Sequence, residues 1–110
     1  MKNDILVKTI EGLRKRGKLW SRVAQDLEKP SRARRAVNLS RISRHTKENE
    51  VVVVPGKVLG AGSLAHPVTI GAYSFSTGAR ESIQRAKGKC LSLDELAQKY
   101  PDGKEVRLLG

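Results

Sequence analysis

A glycine-rich stretch is the first place to look for chemistry in this sequence. Residues 60–65 read Gly-Ala-Gly-Ser-Leu-Ala, which matches the G-x-G-x-x-G/A pattern of dinucleotide sites. In such a site a strand precedes the glycines, and a helix that follows them holds the pyrophosphate at its N-terminus. Here the β-branched run 51–54 stops at Pro55, and His66-Pro67 and a β-rich run follow the glycines. We therefore expect the glycines to allow tight turns and close approach of the backbone to a partner.

Metal ligation and nucleophilic catalysis find little support. His45, His66 and Cys90 show none of the spacings that place two ligands on one turn or helix. Asp94 and Glu95 are explained by the preference for negative charge in the first turn of a helix. The sequence predicts that the protein is not an enzyme and holds no metal or cofactor.

The cations are more informative than the glycines. The chain has 110 residues and 22 Lys or Arg against 11 Asp or Glu, a formal net charge of +11. Residues 1–47 carry 14 of these cations and 4 acids, whereas residues 48–110 carry 8 and 7. Such a basic half joined to a nearly neutral half is typical of proteins that bind a polyanion.

The densest run of cations extends from Lys29 to Lys47, with seven Lys or Arg and no acid. The planar guanidinium of arginine suits phosphate and stacks on unpaired bases. Aromatic residues make up only 4% of the chain, which argues against an aromatic stacking platform. We therefore expect contacts mainly with phosphate and sugar.

The number of cysteines and the length of the apolar runs predict the cellular compartment of the protein. The single Cys90 excludes an internal disulfide, and no apolar run approaches the roughly 20 residues of a membrane helix. The apolar block at residues 5–7 is too short for a signal peptide. We expect a cytosolic protein without membrane contact.

Two short amphipathic helices are predicted in the basic half. Apolar spacing of three and four indicates a helix over residues 4–16, ended by Gly17, and a second over about 19–27, before Pro30. Residues 31–36 look like an extended basic loop. Alternation of apolar and polar residues over 37–42 predicts a short strand.

The second half predicts a compact α/β core. Its elements are a strand at 51–54 ended by Pro55-Gly56, a glycine-rich turn at 56–67, a strand at 68–75, a helix at 78–87 stopped by Gly88, a helix from the Ser92–Glu95 capping box to about Tyr100, and a strand at 106–108. The division predicted from charge and pattern is a basic segment at 1–50 and a core at 51–110, forming one domain overall.

Two other functions fit parts of the sequence. The helical hairpin of residues 4–28 has the outline of a DNA-binding helix-turn-helix, although its second helix offers mainly Arg22, Gln25 and Asp26 outward, a poor set for reading bases. A small nucleotide-dependent enzyme built on Gly60 and Gly62 is the other. Binding to structured RNA, duplex DNA and nucleotides distinguishes these two hypotheses from RNA binding.

Two longer motifs resemble a known family. The first comprises Leu27, Pro30, Arg34 and the run 37–42, Val-Asn-Leu-Ser-Arg-Ile. The second is VVVPGKVLGAGSL at 52–64, followed by Val68-Thr69, Ser74-Phe75-Ser76 and Ala79-Arg80. Together they closely resemble the L-eighteen-e family of large-subunit ribosomal proteins of archaea and eukaryotes, over nearly the whole chain. The family usually has a basic residue where this chain has Ser31 and a small one where it has Arg35, which only shifts where a cation lies.

The resemblance implies a fold and a role. The fold is the α/β fold of ribosomal proteins L-fifteen and L-eighteen-e, with irregular β-β-α turns and a basic N-terminal helical extension. The implied role is structural, in the cytoplasm: binding and stabilising large-subunit ribosomal RNA beside neighbouring large-subunit proteins, with no catalysis, cofactor or small-molecule substrate. The short chain is similar to archaeal members.

Residue pattern and resemblance together select the RNA contacts. The first group expected to contact RNA is Lys29, Arg32, Arg34, Arg35, Arg41, Arg44, His45 and Lys47. A second group is Arg14, Lys15, Arg16, Lys18 and Lys57, with the turn from Gly60 to Gly62 close to the RNA backbone.

Overall fold

The protein folds into a parallel β-sheet with helices on both faces. The structure is a computed structural model, and it describes residues 4–28 and 35–109. Its elements in chain order are α1 (Asp4–Arg14), α2 (Lys18–Glu28), β1 (Arg35–Asn38), α3 (Leu39–His45), β2 (Val51–Leu59), β3 (Thr69–Phe75), α4 (Thr77–Arg85), β4 (Lys89–Ser92), α5 (Leu93–Lys99) and β5 (Val106–Leu108). The expected α/β class is confirmed.

Strand β2 is the centre of the sheet. It pairs along one edge with β3, which in turn pairs with β4. Its other edge is shared by two strands, because β5 pairs with residues 51–53 and β1 pairs with residues 56–59. All four pairings are parallel, so the amino ends of β2, β3, β4 and β5 meet at one edge of the sheet.

Four consecutive valines are buried because both faces of the sheet are covered. Val51 and Val53 belong to one core cluster with residues of α1, α2 and α5. Val52 and Val54 belong to a second cluster with residues of α3 and α4. Side chains alternate across a strand, so neighbouring valines serve opposite cores.

The helical hairpin α1–α2 is part of the first core. Leu13, Trp20 and Leu27 are almost fully buried in the cluster that contains Val51 and Val53. The indole N–H of Trp20 donates a 2.9 Å hydrogen bond to the backbone carbonyl of Tyr100. Residues from the predicted segments 1–50 and 51–110 therefore pack together in a single cluster.

The strand predicted over residues 37–42 is wrong beyond Asn38. Strand β1 includes Arg35 and Ala36 of the predicted loop and ends at Asn38, and α3 begins at Leu39. Leu39 and Ile42 are fully buried, at a spacing of three residues that fits one face of a helix. Because α3 has only seven residues, its helical spacing of apolar residues does not outweigh the apparent alternation of apolar and polar residues.

Pro55 and Gly56 do not end β2, contrary to expectation. The strand continues to Leu59, and the register against β3 shifts between Val54 and Lys57. Proline is tolerated at such a bulge because a ladder hydrogen bond is already missing there. The predicted glycine-rich turn therefore begins only at Gly60.

Helix ends are closer to expectation. The Ser92–Glu95 capping box of α5 is confirmed by hydrogen bonds in both directions, each 3.1 Å long. Helix α4 ends two residues before the predicted end, and the residue with left-handed backbone is Lys87 rather than Gly88. Strand β4 was not expected from the sequence at all.

Candidate nucleic-acid interface

Helix α3 displays three basic-type side chains on one exposed face. Arg41, Arg44 and His45 are all exposed, whereas Leu39 and Ile42 face the core. At 3.6 residues per turn, positions 41, 44 and 45 fall within about 100° of arc around the helix axis. We call these three residues the α3 face.

Two backbone-linked hydrogen bonds hold α3 against the loop that follows β2. The amide of Ser40 donates to the carbonyl of Ala61 at 3.2 Å. The amide of Ala65 donates to the hydroxyl of Ser43 at 3.1 Å. These two bonds tie α3 to the loop and so fix the orientation of the helix.

A third contact joins the end of α3 to the same loop. The hydroxyl of Thr46 donates to the carbonyl of Ile42 at 2.6 Å and lies 2.8 Å from Nε2 of His66. Because the hydroxyl proton is used on Ile42, Nε2 of His66 must be the donor to Thr46. His66 therefore acts as a hydrogen-bond donor that holds the loop against the end of α3.

Arg107 contacts the C-terminal end of α3, and the sequence does not predict this contact. Its guanidinium donates to the carbonyl of His45, and its Nε lies 3.6 Å from a carboxylate oxygen of Glu50. Strand β5 brings it there by pairing with the first half of β2. Only this long-range pairing reveals the contact, and no local signal in the sequence could have done so.

The arginines of α3 and the following Lys47 form no ion pair with the described carboxylates. Within residues 4–28 and 35–109, no carboxylate lies within ion-pair distance of Arg41, Arg44 or Lys47. Glu50 accepts a 2.7 Å hydrogen bond from the backbone amide of Lys47 and forms an ion pair with Arg107. The guanidiniums of α3 thus remain available to an external anion.

The cations of the second group are not brought to the α3 face. Arg14 forms an ion pair with Glu28, and Arg16 donates a 3.4 Å hydrogen bond to the carbonyl of Ala97. Lys15 and Lys18 are exposed. Since α1 and α2 cover the opposite face of the sheet from α3, these cations form a separate basic region.

Lys57 is the one exposed residue of β2. It lies after the bulge, between Ala36 of β1 and Ser74 of β3. Its position is therefore on the sheet itself, at the half of β2 nearer its carboxyl end.

Both glycines of the turn have neighbours within the protein. A Cβ on Gly60 would lie 2.8 Å from the amide nitrogen of Ala79 in α4, and one on Gly62 would lie 2.5 Å from Cβ of Ser40 in α3. Gly62 also has a φ of 82°, which favours glycine. The positive φ of Gly62 agrees with the expected tight turn, and close packing against α3 and α4 is a further reason for both glycines. Contact of this turn with RNA stays a prediction.

Part of the first group lies outside this description. Lys29, Arg32 and Arg34 fall outside the described residues, and for Arg35 only the backbone is described, paired with Gly56. The structure therefore places only the α3 residues and Lys47 of that group.

Residues considered for catalysis or metal binding are not assembled. Among the described residues, no three His, Cys, Asp or Glu side chains lie close enough together to hold a metal ion. Cys90 is half-buried in β4, where desolvation raises the pKa of its thiol against the opposing effect of the Arg80 guanidinium. None of the described helices combines the length and the apolar character needed to cross a membrane.

Comparison with known proteins gives a consistent result. A family model described as "Ribosomal protein 60S L18 and 50S L18e" matches residues 1–110. The "Large ribosomal subunit protein eL18" of Sulfurisphaera tokodaii is 50% identical over 108 residues, covering 97% of this chain and 92% of the relative. The protein of the same name from Methanothermobacter thermautotrophicus is 46% identical over 112 residues, covering 97% and 93%.

A third relative shows the same pattern over a shorter stretch. The "Large ribosomal subunit protein eL18" of Halobacterium salinarum is 45% identical over 91 residues, covering 83% of this chain and 78% of the relative. These relatives carry the names of ribosomal proteins and not of enzymes, which agrees with the expectation of a non-enzymatic protein. The expected family is thereby confirmed, and the chain belongs to the family of ribosomal proteins 60S L18 and 50S L18e.

Proposed function

We propose that this protein is a structural constituent of the large ribosomal subunit, in the cytoplasm, where it binds and stabilises large-subunit ribosomal RNA. The relatives reported above carry the name of a large-subunit protein, which supports the assembly. The observation that carries the RNA contact is the α3 face, where Arg41 and Arg44 are exposed without a carboxylate partner in the described part of the chain.

Binding rests on phosphate contacts rather than on reading bases. Each cation placed on a phosphate releases condensed counterions, so affinity falls as salt rises. The hydrogen bonds from α3 to the loop after β2 set the helix orientation before RNA arrives. A rigid basic face loses less conformational freedom on binding than a flexible one.

The full set of proposed RNA contacts keeps both groups. Residues 1–50 supply most of them and residues 51–110 supply most of the sheet, with neighbouring large-subunit proteins as further partners. The proposed contacts are Lys29, Arg32, Arg34, Arg35, Arg41, Arg44, His45 and Lys47, then Arg14, Lys15, Arg16, Lys18, Lys57, Gly60 and Gly62. Of the described residues, Arg41 and Arg44 have the strongest structural support.

The test is the salt dependence of binding to structured large-subunit ribosomal RNA. With about eight phosphate contacts, the plot of log affinity against log salt has a slope of roughly −6. The double variant Arg41→Gln/Arg44→Gln removes two contacts and should reduce the magnitude of that slope by about 1.5. Circular dichroism checks that both proteins are folded.

The matched control removes the same charge elsewhere. The double variant Lys99→Gln/Lys104→Gln takes two exposed cations from the end of α5 and the turn after it. Its slope should stay within about 0.5 of the parent value, which is less than one phosphate contact. Equal loss in the two double variants would show that net charge, and not the α3 face, governs binding.

The same assay addresses the two other hypotheses. Duplex DNA and a free dinucleotide replace RNA as ligands under identical salt. Sequence-selective binding of duplex DNA without RNA binding would favour the helix-turn-helix hypothesis. In the structure α2 buries Trp20, Val23 and Leu27 against the sheet, which leaves Arg22 and Gln25 as its exposed side chains among these candidates.

A further inference from the structure

A small polar pocket opens where the amino ends of three strands meet. It lies between the starts of β2, β3 and β4 and the end of α5, and its volume is about 200 Å³. We call it the amino-edge pocket, and its polar and aromatic lining consists of Asn49, Thr69, Lys87, Gly88, Lys89 and Tyr100. It shares no residue with the α3 face.

The walls of this pocket are fixed by backbone hydrogen bonds. The amide of Asn49 donates to the carbonyl of Pro67 at 2.8 Å, and the amide of Lys89 donates to the carbonyl of Val68 at 3.1 Å. Three successive strand starts are thereby tied together. The pocket is therefore formed before any ligand binds.

Unusual backbone conformations coincide with the pocket. In the described part of the chain only two non-glycine residues have positive φ, Asn49 at 66° and Lys87 at 65°, and both line it. Residues held in sparsely populated backbone regions cluster at functional sites. Asparagine adopts this conformation readily, whereas lysine does not.

Lys87 occupies a position that normally belongs to glycine. The amide of Lys87 donates to the carbonyl of Gln84 at 3.0 Å, and the amide of Gly88 donates to that of Ile83 at 2.9 Å. This pair of bonds defines a Schellman motif, whose left-handed residue is usually glycine. Here glycine is required one position later, because a Cβ on Gly88 would lie 2.5 Å from the carbonyl oxygen of Val68.

The lining offers the groups that a nucleotide needs. Lys87 and Lys89 are exposed cations, and no acidic residue is among the described residues that line the pocket. Tyr100 is half-buried and packs against the first core cluster, so its ring is held in place. The amide side chain of Asn49 can both donate and accept hydrogen bonds.

From this arrangement we propose that the amino-edge pocket receives a single unstacked nucleotide of RNA. Lys87 and Lys89 contact its phosphate, and its base lies against Tyr100. The volume is below the roughly 300–1,000 Å³ of sites for drug-sized ligands, which suits one base rather than a dinucleotide. The proposal rests on the proposed RNA-binding function and adds a second site with a preference for single-stranded nucleotides.

The experiment follows backbone amide signals of the full chain by NMR during titration with three probes. The probes are a short single-stranded oligouridylate, a blunt RNA duplex of equal nucleotide number, and uridine monophosphate. The single strand should shift the amides of Asn49, Thr69 and Gly88 to saturation. The duplex should shift amides of α3 and leave those three unchanged.

Substitutions test which groups bind. Tyr100→Leu keeps an apolar side chain on the core and leaves the backbone carbonyl that accepts from Trp20. It should weaken binding of the single strand by at least about fivefold, the lower end of a base–aromatic stacking contribution. The matched control Tyr73→Leu alters an exposed tyrosine that does not line this pocket, and should leave the affinity unchanged.

Each other outcome contradicts the proposal in a recognisable way. Equal shifts by duplex and single strand would show that the pocket does not select unstacked nucleotides. Tighter binding of uridine monophosphate than of the oligouridylate would assign the pocket to a free nucleotide. Shifts confined to Arg41 and Arg44 would overturn the pocket and leave the α3 face intact, whereas no shift with any RNA would contradict the proposed function itself.

Discussion

Replacing Lys87 by glycine should stabilise the protein, although a charged surface residue is lost. Lys87 is the left-handed residue of the Schellman motif at the end of α4, with a φ of 65°. A non-glycine residue in this region costs roughly 1–2 kcal/mol, and glycine lacks that cost. Glycine loses more chain entropy on folding, by roughly 0.5–1 kcal/mol, so the net gain should be about 1 kcal/mol.

Thermal unfolding by circular dichroism measures this gain. The entropy of unfolding near the midpoint is about 2.1 cal/mol/K per residue, or about 0.23 kcal/mol/K for this chain length. A gain of about 1 kcal/mol therefore raises Tm by about 4 °C. Urea unfolding should show a higher midpoint with an unchanged slope.

Two controls separate backbone strain from charge. Lys87→Ala loses the charge and keeps the strained φ, so its Tm should stay within about 1 °C of the parent. Lys99→Gly places glycine in the last helical residue of α5, where it should cost up to about 1 kcal/mol. A lower Tm for Lys87→Gly, or an equal rise for Lys87→Ala, would refute the strain argument.

Other residues give further expectations. Gly12→Ala should raise the free energy of unfolding by about 0.5–1 kcal/mol, because its Cβ meets nothing within 4 Å inside a helix. Gly60→Ala should lower it by about 1–3 kcal/mol through collision with α4, and equal effects of the two in urea unfolding would contradict the packing account. Alkylation of Cys90 by iodoacetamide should need a higher pH than a free thiol, since its raised pKa leaves less thiolate. Arg80→Ala should slow that reaction further by removing the effect that lowers the pKa; a faster reaction would contradict this sign. Trp20→Phe should cost about 0.5–1.5 kcal/mol in urea unfolding, because the Tyr100 carbonyl loses the indole hydrogen bond and keeps only the one from the Gly103 amide; a cost near zero would show that the indole hydrogen bond contributes nothing to stability.

Elements with a strong local signal were predictable. The hairpin helices and α5 have clear apolar periods, and the Ser92–Glu95 box marks the start of α5. The family and the α/β class were also predictable, because two long motifs carry them. These features depend on residues close together in sequence.

Features set by distant pairing were not predictable. Pro55 can lie within a strand because the bulge against β3 interrupts the ladder of hydrogen bonds at this position, where proline has no N–H to donate. Strand β4 has only four residues, too few for an alternation of apolar and polar residues to stand out, and it continues directly into α5. The same holds for the candidate site, where Arg107 reaches His45 only through the pairing of β5 with β2.

The shared edge of β2 has a consequence for the order of folding. Arg35 and its partner Gly56 are 21 residues apart, whereas Val51 and its partner Val106 are 55 apart. Loop-closure entropy alone makes the longer closure costlier by about 0.9 kcal/mol. We therefore expect β1 to dock before β5, leaving the uncharged, β-branched edge of residues 51–53 briefly bare. An edge of this kind readily pairs with another chain, so slow docking of β5 would make the newly folding protein prone to aggregation.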